Sequence, residues 1–125
     1  MNMIKNVTDT VRLHNALKPM GHLIFVFGSN EAGIHGAGAA RVALEQWGAR
    51  RTKGIGLVGQ SFAIPTKDRN IHTLPLEQVK KYVAHFLTFA MHRPELHFMV
   101  TQIGCGLAGF KKHEIAPLFK DPPKN

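Results

Sequence analysis

The residues best suited to chemistry lie in two glycine-rich stretches and at one lysine. The first stretch runs Gly28-Ser29-Asn30-Glu31-Ala32-Gly33-Ile34-His35-Gly36-Ala37-Gly38-Ala39-Ala40. Gly33, Gly36 and Gly38 remove Cβ atoms where a ligand can approach the backbone. Asn30 carries an amide that can both donate to and accept from a sugar hydroxyl. His35 can meet a phosphate or move a proton. The second stretch is Ile103-Gly104-Cys105-Gly106-Leu107-Ala108-Gly109-Phe110. Its successive N–H groups can wrap a diphosphate, and Phe110 can pack on a base or ribose face. Lys67, within Pro65-Thr66-Lys67-Asp68-Arg69, can bind phosphate or act as a nucleophile.

Each reading has a plainer rival. A tight strand–helix turn uses one glycine, but several with Asn and His between them favour a ligand loop. His35 alone reads equally as a surface loop histidine and Phe110 equally as a core anchor, while Lys67 taken alone reads more readily as a solvated loop charge. Cys105 reads as a small buried residue rather than a catalytic thiol. The first stretch is neither the Gly-x-Gly-x-x-Gly of a dinucleotide fold nor a P-loop, which disfavours standard nucleotide-hydrolase chemistry.

The flanking segments must position these residues. Leu23 to Phe27 is a continuous apolar run of strand length. Gly38 to Trp47 carries Ala39, Val42, Ala43 and Trp47 at helical spacing, with Gly48 as its stop. Gly54 to Gly59 reads as loop. Ser61 to Thr66 reads as a strand ending at Pro65, and Lys67 to Thr73 as polar loop. Pro75 and Glu77 mark the first turn of a helix whose apolar face is Val79, Val83, Phe86, Leu87 and Ala90. His92-Arg93-Pro94 ends it. Leu96 to Thr101 is a third strand, and Lys112 to Leu118 a further short helix. Thr8 to Leu17 forms a weaker helical pattern. Alternating strands and helices predict an α/β fold around a largely parallel sheet. Ligands of such sheets sit beyond the carboxyl ends of the strands, and both glycine stretches begin there.

Composition sets the outer bounds. The 125 residues fit a single domain, 1–125, with 44% hydrophobic and 19% charged residues. No apolar run is long enough to span a bilayer, and the first residues lack the apolar core of a signal peptide. The cytoplasm is therefore the expected compartment. One cysteine excludes an internal disulfide. The eight histidines show no metal-ligand spacing, so neither metal nor cofactor is expected. A net charge of +8 and a pI near 10.1 favour anionic partners. The cations are scattered in short groups such as Arg50-Arg51-Thr52-Lys53, which allows weak non-specific nucleic-acid binding but no single-strand track.

With these residues in view, the chain resembles the macrodomain family over about 23–119. Gly28-Ser29-Asn30 followed by Gly36-Ala37-Gly38-Ala39-Ala40 is similar to the family's first ligand loop. Ile103 to Phe110 is similar to its phosphate loop, in the Gly-Cys-Gly-Leu form of the branch holding terminal ADP-ribose glycohydrolase and ADP-ribose-1″-phosphate phosphatases. Phe27-Gly28-Ser29-Asn30 paired with His35 to Ala40 also resembles phage-type macrodomain proteins. The resemblance implies a three-layer α/β/α sandwich with a mixed, largely parallel sheet and an ADP-ribose cleft. Gly28, Ser29, Asn30, His35, Gly36, Ala37, Gly38 and Ala39 would line the distal ribose. Ile103, Gly104, Cys105, Gly106, Leu107, Ala108, Gly109 and Phe110 would hold the diphosphate, with Pro65 and Thr66 beside them. Ile64-Pro65-Thr66-Lys67 matches the strand end where the glycohydrolase carries a catalytic lysine, which implies attack by Lys67 on the distal ribose. The glycohydrolase's aspartate after Gly-Leu is Ala108 here. His35 or Asp68 would have to supply acid–base function in its place. Three functions stay open: hydrolysis of ADP-ribosyl adducts or ADP-ribose 1″-phosphate, a non-catalytic module that reads or sequesters ADP-ribose, a related nucleotide diphosphate sugar or ADP-ribosylated macromolecules, and a basic nucleic-acid-binding protein.

Overall fold

The computed structural model describes residues 14–101, 103 and 118. Its organising strand is β1, Leu23–Asn30. Alternate side chains of a strand point to opposite faces, and both faces of β1 are buried. Leu23, Phe25 and Phe27 join one apolar cluster, while Ile24 and Val26 join another. This explains why the run is continuously apolar rather than alternating.

Helix α1, Gly38–Gln46, covers the first face with Ala43, and Trp47 follows as its cap. The Trp47 indole stacks on Phe25 at 5.3 Å between ring centroids. Helix α2, Leu76–Met91, covers the other face with Val79, Val83, Phe86 and Ala90. Phe86 meets Phe62 edge-on at 5.0 Å and Phe98 at 5.2 Å. The sheet is therefore the middle of three α/β/α layers.

Three more strands complete the sheet: β2, Gly56–Val58; β3, Ser61–Lys67; and β4, His97–Val100. The spatial order is β2-β3-β1-β4. β1 pairs in parallel with β3 and β4, and β2 pairs antiparallel with β3. The sheet is thus mixed and mostly parallel.

Four details differ from the sequence-based expectation. β1 continues three residues past Phe27, so Gly28, Ser29 and Asn30 are strand rather than loop. β3 continues through Pro65 to Lys67. Pro65 cannot donate to a ladder, but it lies beyond the last β2 pairing, at Ala63. A register shift beside it puts Ser29 against Pro65 and Asn30 against Lys67, and such irregularities are where sheets accept proline. Gly56–Val58, read as loop, is an edge strand turning into β3 at Gly59-Gln60. Pro75 stands at the N-cap of α2 rather than in its first turn. Its carbonyl accepts from Gln78 and Val79 N–H, at 2.9 and 3.2 Å.

Residues 14–17 are helical, and the rest of the Thr8–Leu17 pattern lies outside the described residues, as does Lys112 to Pro117. Among the described residues, no helix is long and apolar enough to cross a membrane.

Candidate functional site

The parallel strands β3, β1 and β4 point the same way, so their carboxyl ends share one edge of the sheet. From that edge β1 leads to α1 on one face, while β3 leads to α2 on the other. The two connections diverge between adjacent strands, with Asn30 opposite Lys67. A crevice at such a divergence is where open α/β sheets bind ligands. β4 ends beside Val26. The chain therefore leaves β4 next to the central strand as it enters the second glycine stretch. Ile103 is buried in the α2-side core, while Gly104, Cys105, Gly106, Leu107, Ala108, Gly109 and Phe110 lie outside the described residues.

The first loop is held by its own polar side chains. Asn30, only 8% exposed, donates from Nδ2 to the Ile34 carbonyl at 2.7 Å and accepts at Oδ1 from the Ile34 N–H at 2.9 Å. Its amide therefore clasps the turn from both ends. One amide hydrogen and one oxygen lone pair remain for other partners. Ser29 Oγ donates to the Gly54 carbonyl, and Thr66 Oγ1 to the Ser29 carbonyl at 3.4 Å. Ser29 and Thr66 are buried.

His35 is interior, not a surface loop histidine. It is 2% exposed, with its ring edge-on to Phe27 at 5.4 Å. Nε2 lies 3.0 Å from the Arg50 carbonyl and 3.1 Å from that of Lys53. Carbonyls only accept, so Nε2–H donates to both. Nδ1 is buried with no hydrogen-bond partner among the described residues. His35 thereby fastens the exposed basic turn Arg50–Lys53 against the first loop. Thr52 N–H adds a bond to the Gly33 carbonyl at 3.0 Å. The two segments are in backbone contact. A Cβ at Gly54 would collide with the Asn30 carbonyl oxygen, and one at Gly33 with the Thr52–Lys53 backbone.

Beyond this clasp the loop opens. Gly36, Ala37 and Gly38 are exposed, and Ala39 and Gly28 are half-buried. A Cβ at Gly36 would meet nothing within 4 Å.

On the adjacent strand, half-buried Lys67 ends β3, and its carbonyl accepts from Glu31 N–H at 2.9 Å. Asp68 is engaged within its own turn. Its Oδ1 accepts from Asn70 N–H at 2.8 Å and His72 N–H at 3.0 Å, closing a turn that returns the chain to pair Thr73 with Lys67. The His72 N–H, seconded by that of Asn70, holds the Asp68 carboxyl below its ordinary range.

Two residues absent from the sequence-based set also meet at this edge. Tyr82 of α2 donates its hydroxyl to Glu31 Oε2. Burial, then the bond to Glu31, raises the Tyr82 phenol above its ordinary value, with Gln78 opposing. Glu31 and Tyr82 lie far apart in the chain, and neither fits a short motif, so local sequence carries no sign of the pair. Among the described residues, no three His, Cys, Asp or Glu side chains gather as a metal site requires. No family model, no curated protein and no solved structure matches the chain.

Proposed function

We propose that this protein binds ADP-ribose or an ADP-ribosyl derivative in the crevice between the carboxyl ends of β1 and β3. The observation that carries this reading is the open backbone of Gly36–Gly38, displayed beside that crevice on a loop clasped from within by Asn30 and His35. A preformed loop loses little freedom on binding, and bare backbone suits the close approach of a ribose and its phosphates. The Gly104 to Phe110 stretch would take the diphosphate. Hydrolysis of ADP-ribosyl adducts or ADP-ribose 1″-phosphate, with Lys67 at the same edge, extends the reading. A cytoplasmic role on ADP-ribosylated macromolecules goes with it.

Gly36 gives a clean test, because a side chain there has free space and no positive φ to oppose it. Calorimetric titration with ADP-ribose should give binding to the native chain. Gly36→Val should melt at the native temperature and bind at least about tenfold more weakly, a loss of about 1.4 kcal/mol. No heat with the native chain, or native affinity in the variant, overturns the reading. Binding of a DNA oligonucleotide that falls steeply with salt and ignores added ADP-ribose would favour the nucleic-acid alternative.

A further inference from the structure

Of the two described carboxylates at this sheet edge, Glu31 and Asp68, Glu31 is the one not taken up in turning its own loop. Asp68 accepts from two local backbone N–H groups. Glu31 follows the last residue of β1 and is fixed by its N–H bond to the Lys67 carbonyl, at 2.9 Å. A carboxylate accepts through two oxygens, and Tyr82 occupies one. A phenol bridging a helix to a strand-end carboxylate fixes that carboxylate's direction, as orienting partners do for catalytic bases.

Building on the proposed ADP-ribosyl ligand, we infer that Glu31 is the proton acceptor of a hydrolytic site and Tyr82 its positioning residue. The step is a displacement at the distal ribose. Glu31 takes a proton from a water whose oxygen bonds to C1″. The C1″–O bond to the adduct breaks, and its electron pair leaves on the departing carboxylate or phosphate. Glu31 then returns its proton to solvent. Such a leaving group departs as a stable anion, so one carboxylate suffices where Ala108 supplies none.

The test uses the full chain and a peptide carrying ADP-ribose esterified to a glutamate side chain. Glu31→Gln should keep native ADP-ribose affinity by calorimetry and lose about 100-fold or more in kcat, the range of a removed general base. Tyr82→Phe, which keeps the ring packing, should lower kcat while leaving KM unchanged. Tyr82 is the chain's one tyrosine, so its ionisation can be followed by ultraviolet absorbance. It should ionise at lower pH in Glu31→Gln than in the native chain. Native turnover in Glu31→Gln, or an unmoved phenol titration, overturns the inference. ADP-ribose binding without turnover by the native chain overturns the inference alone. Absence of ADP-ribose binding overturns the ligand reading and this inference with it.

Discussion

Replacing Asn30 by alanine removes both bonds that clasp the first loop, the 2.7 Å donation to the Ile34 carbonyl and the 2.9 Å acceptance from its N–H. A hydrogen bond contributes about 0.5–1.5 kcal/mol net, and a buried orphan costs more. Ile34 is 57% exposed, so water reaches its freed groups and the lower range applies. The sum is about 1–2 kcal/mol. At about 2.1 cal/mol/K per residue over this length, that loss lowers Tm by about 4–8 °C. Asn30→Asp sharpens the test. Aspartate keeps an acceptor for Ile34 N–H but sets a second oxygen against the Ile34 carbonyl, which favours the protonated carboxyl in the fold. A carboxyl raised in this way stabilises below its unfolded value, about 3.9, and loses that contribution as pH rises through the folded value. Asn30→Asp should therefore gain on Asn30→Ala as pH falls towards 4. Thermal melts across pH measure both effects, and amide exchange at Ile34 reports the loop directly. Native Tm in Asn30→Ala, or an aspartate variant that tracks the alanine variant at every pH, refutes the clasp.

Gly54→Ala should destabilise by more than the about 1–3 kcal/mol of ordinary overpacking, because the colliding atoms at Asn30 and Gly33 are backbone; a melt within about 2 °C of native would contradict that contact, on the same scale of Tm per kcal/mol. The Asp68 carboxyl is lowered in the fold, so the turn it closes is secure above about pH 3.9 and is lost as pH falls through the folded value. The amide resonances of Asn70 and His72 should shift together below that pH, and a midpoint above it counts against the bonding.

How much of this was legible in the sequence depended on how local the determining contacts are. The Leu23–Phe27 run announced a strand buried on both faces, and the Val79, Val83, Phe86, Ala90 spacing gave the covering face of α2. These patterns lie within one element. β2 was illegible because three residues bounded by glycines become a strand only by pairing with Ser61–Ala63. The passage of β3 through Pro65 was hidden for a related reason, since it depends on where β2 stops and on the register shift against β1. At the site, residue types pointed to Asn30 and His35, but their partners were out of view. The Arg50–Lys53 turn that buries His35 is 15 or more residues away, and Tyr82 is 51 residues from Glu31.

Those partners change what the first loop can offer a ligand. Ser29, Asn30 and His35 each direct polar atoms into the protein, towards Gly54, Ile34 and the Arg50–Lys53 turn. They act first as the frame that sets the backbone of Gly36–Gly38. If the proposed ligand binds there, recognition on that side would depend on shape and peptide groups, which discriminate weakly among phosphorylated sugars. On the proposed reading, side-chain discrimination would fall to Lys67, at the end of β3, and to Glu31, which follows β1 and accepts from Tyr82 of α2. Loop substitutions should accordingly change affinity for every ligand in parallel. Substitutions at Glu31, Lys67 or Tyr82 should instead change the ratio between ligands, or between binding and turnover. A Gly36 variant that altered ligand preference without altering overall affinity would break this division of labour.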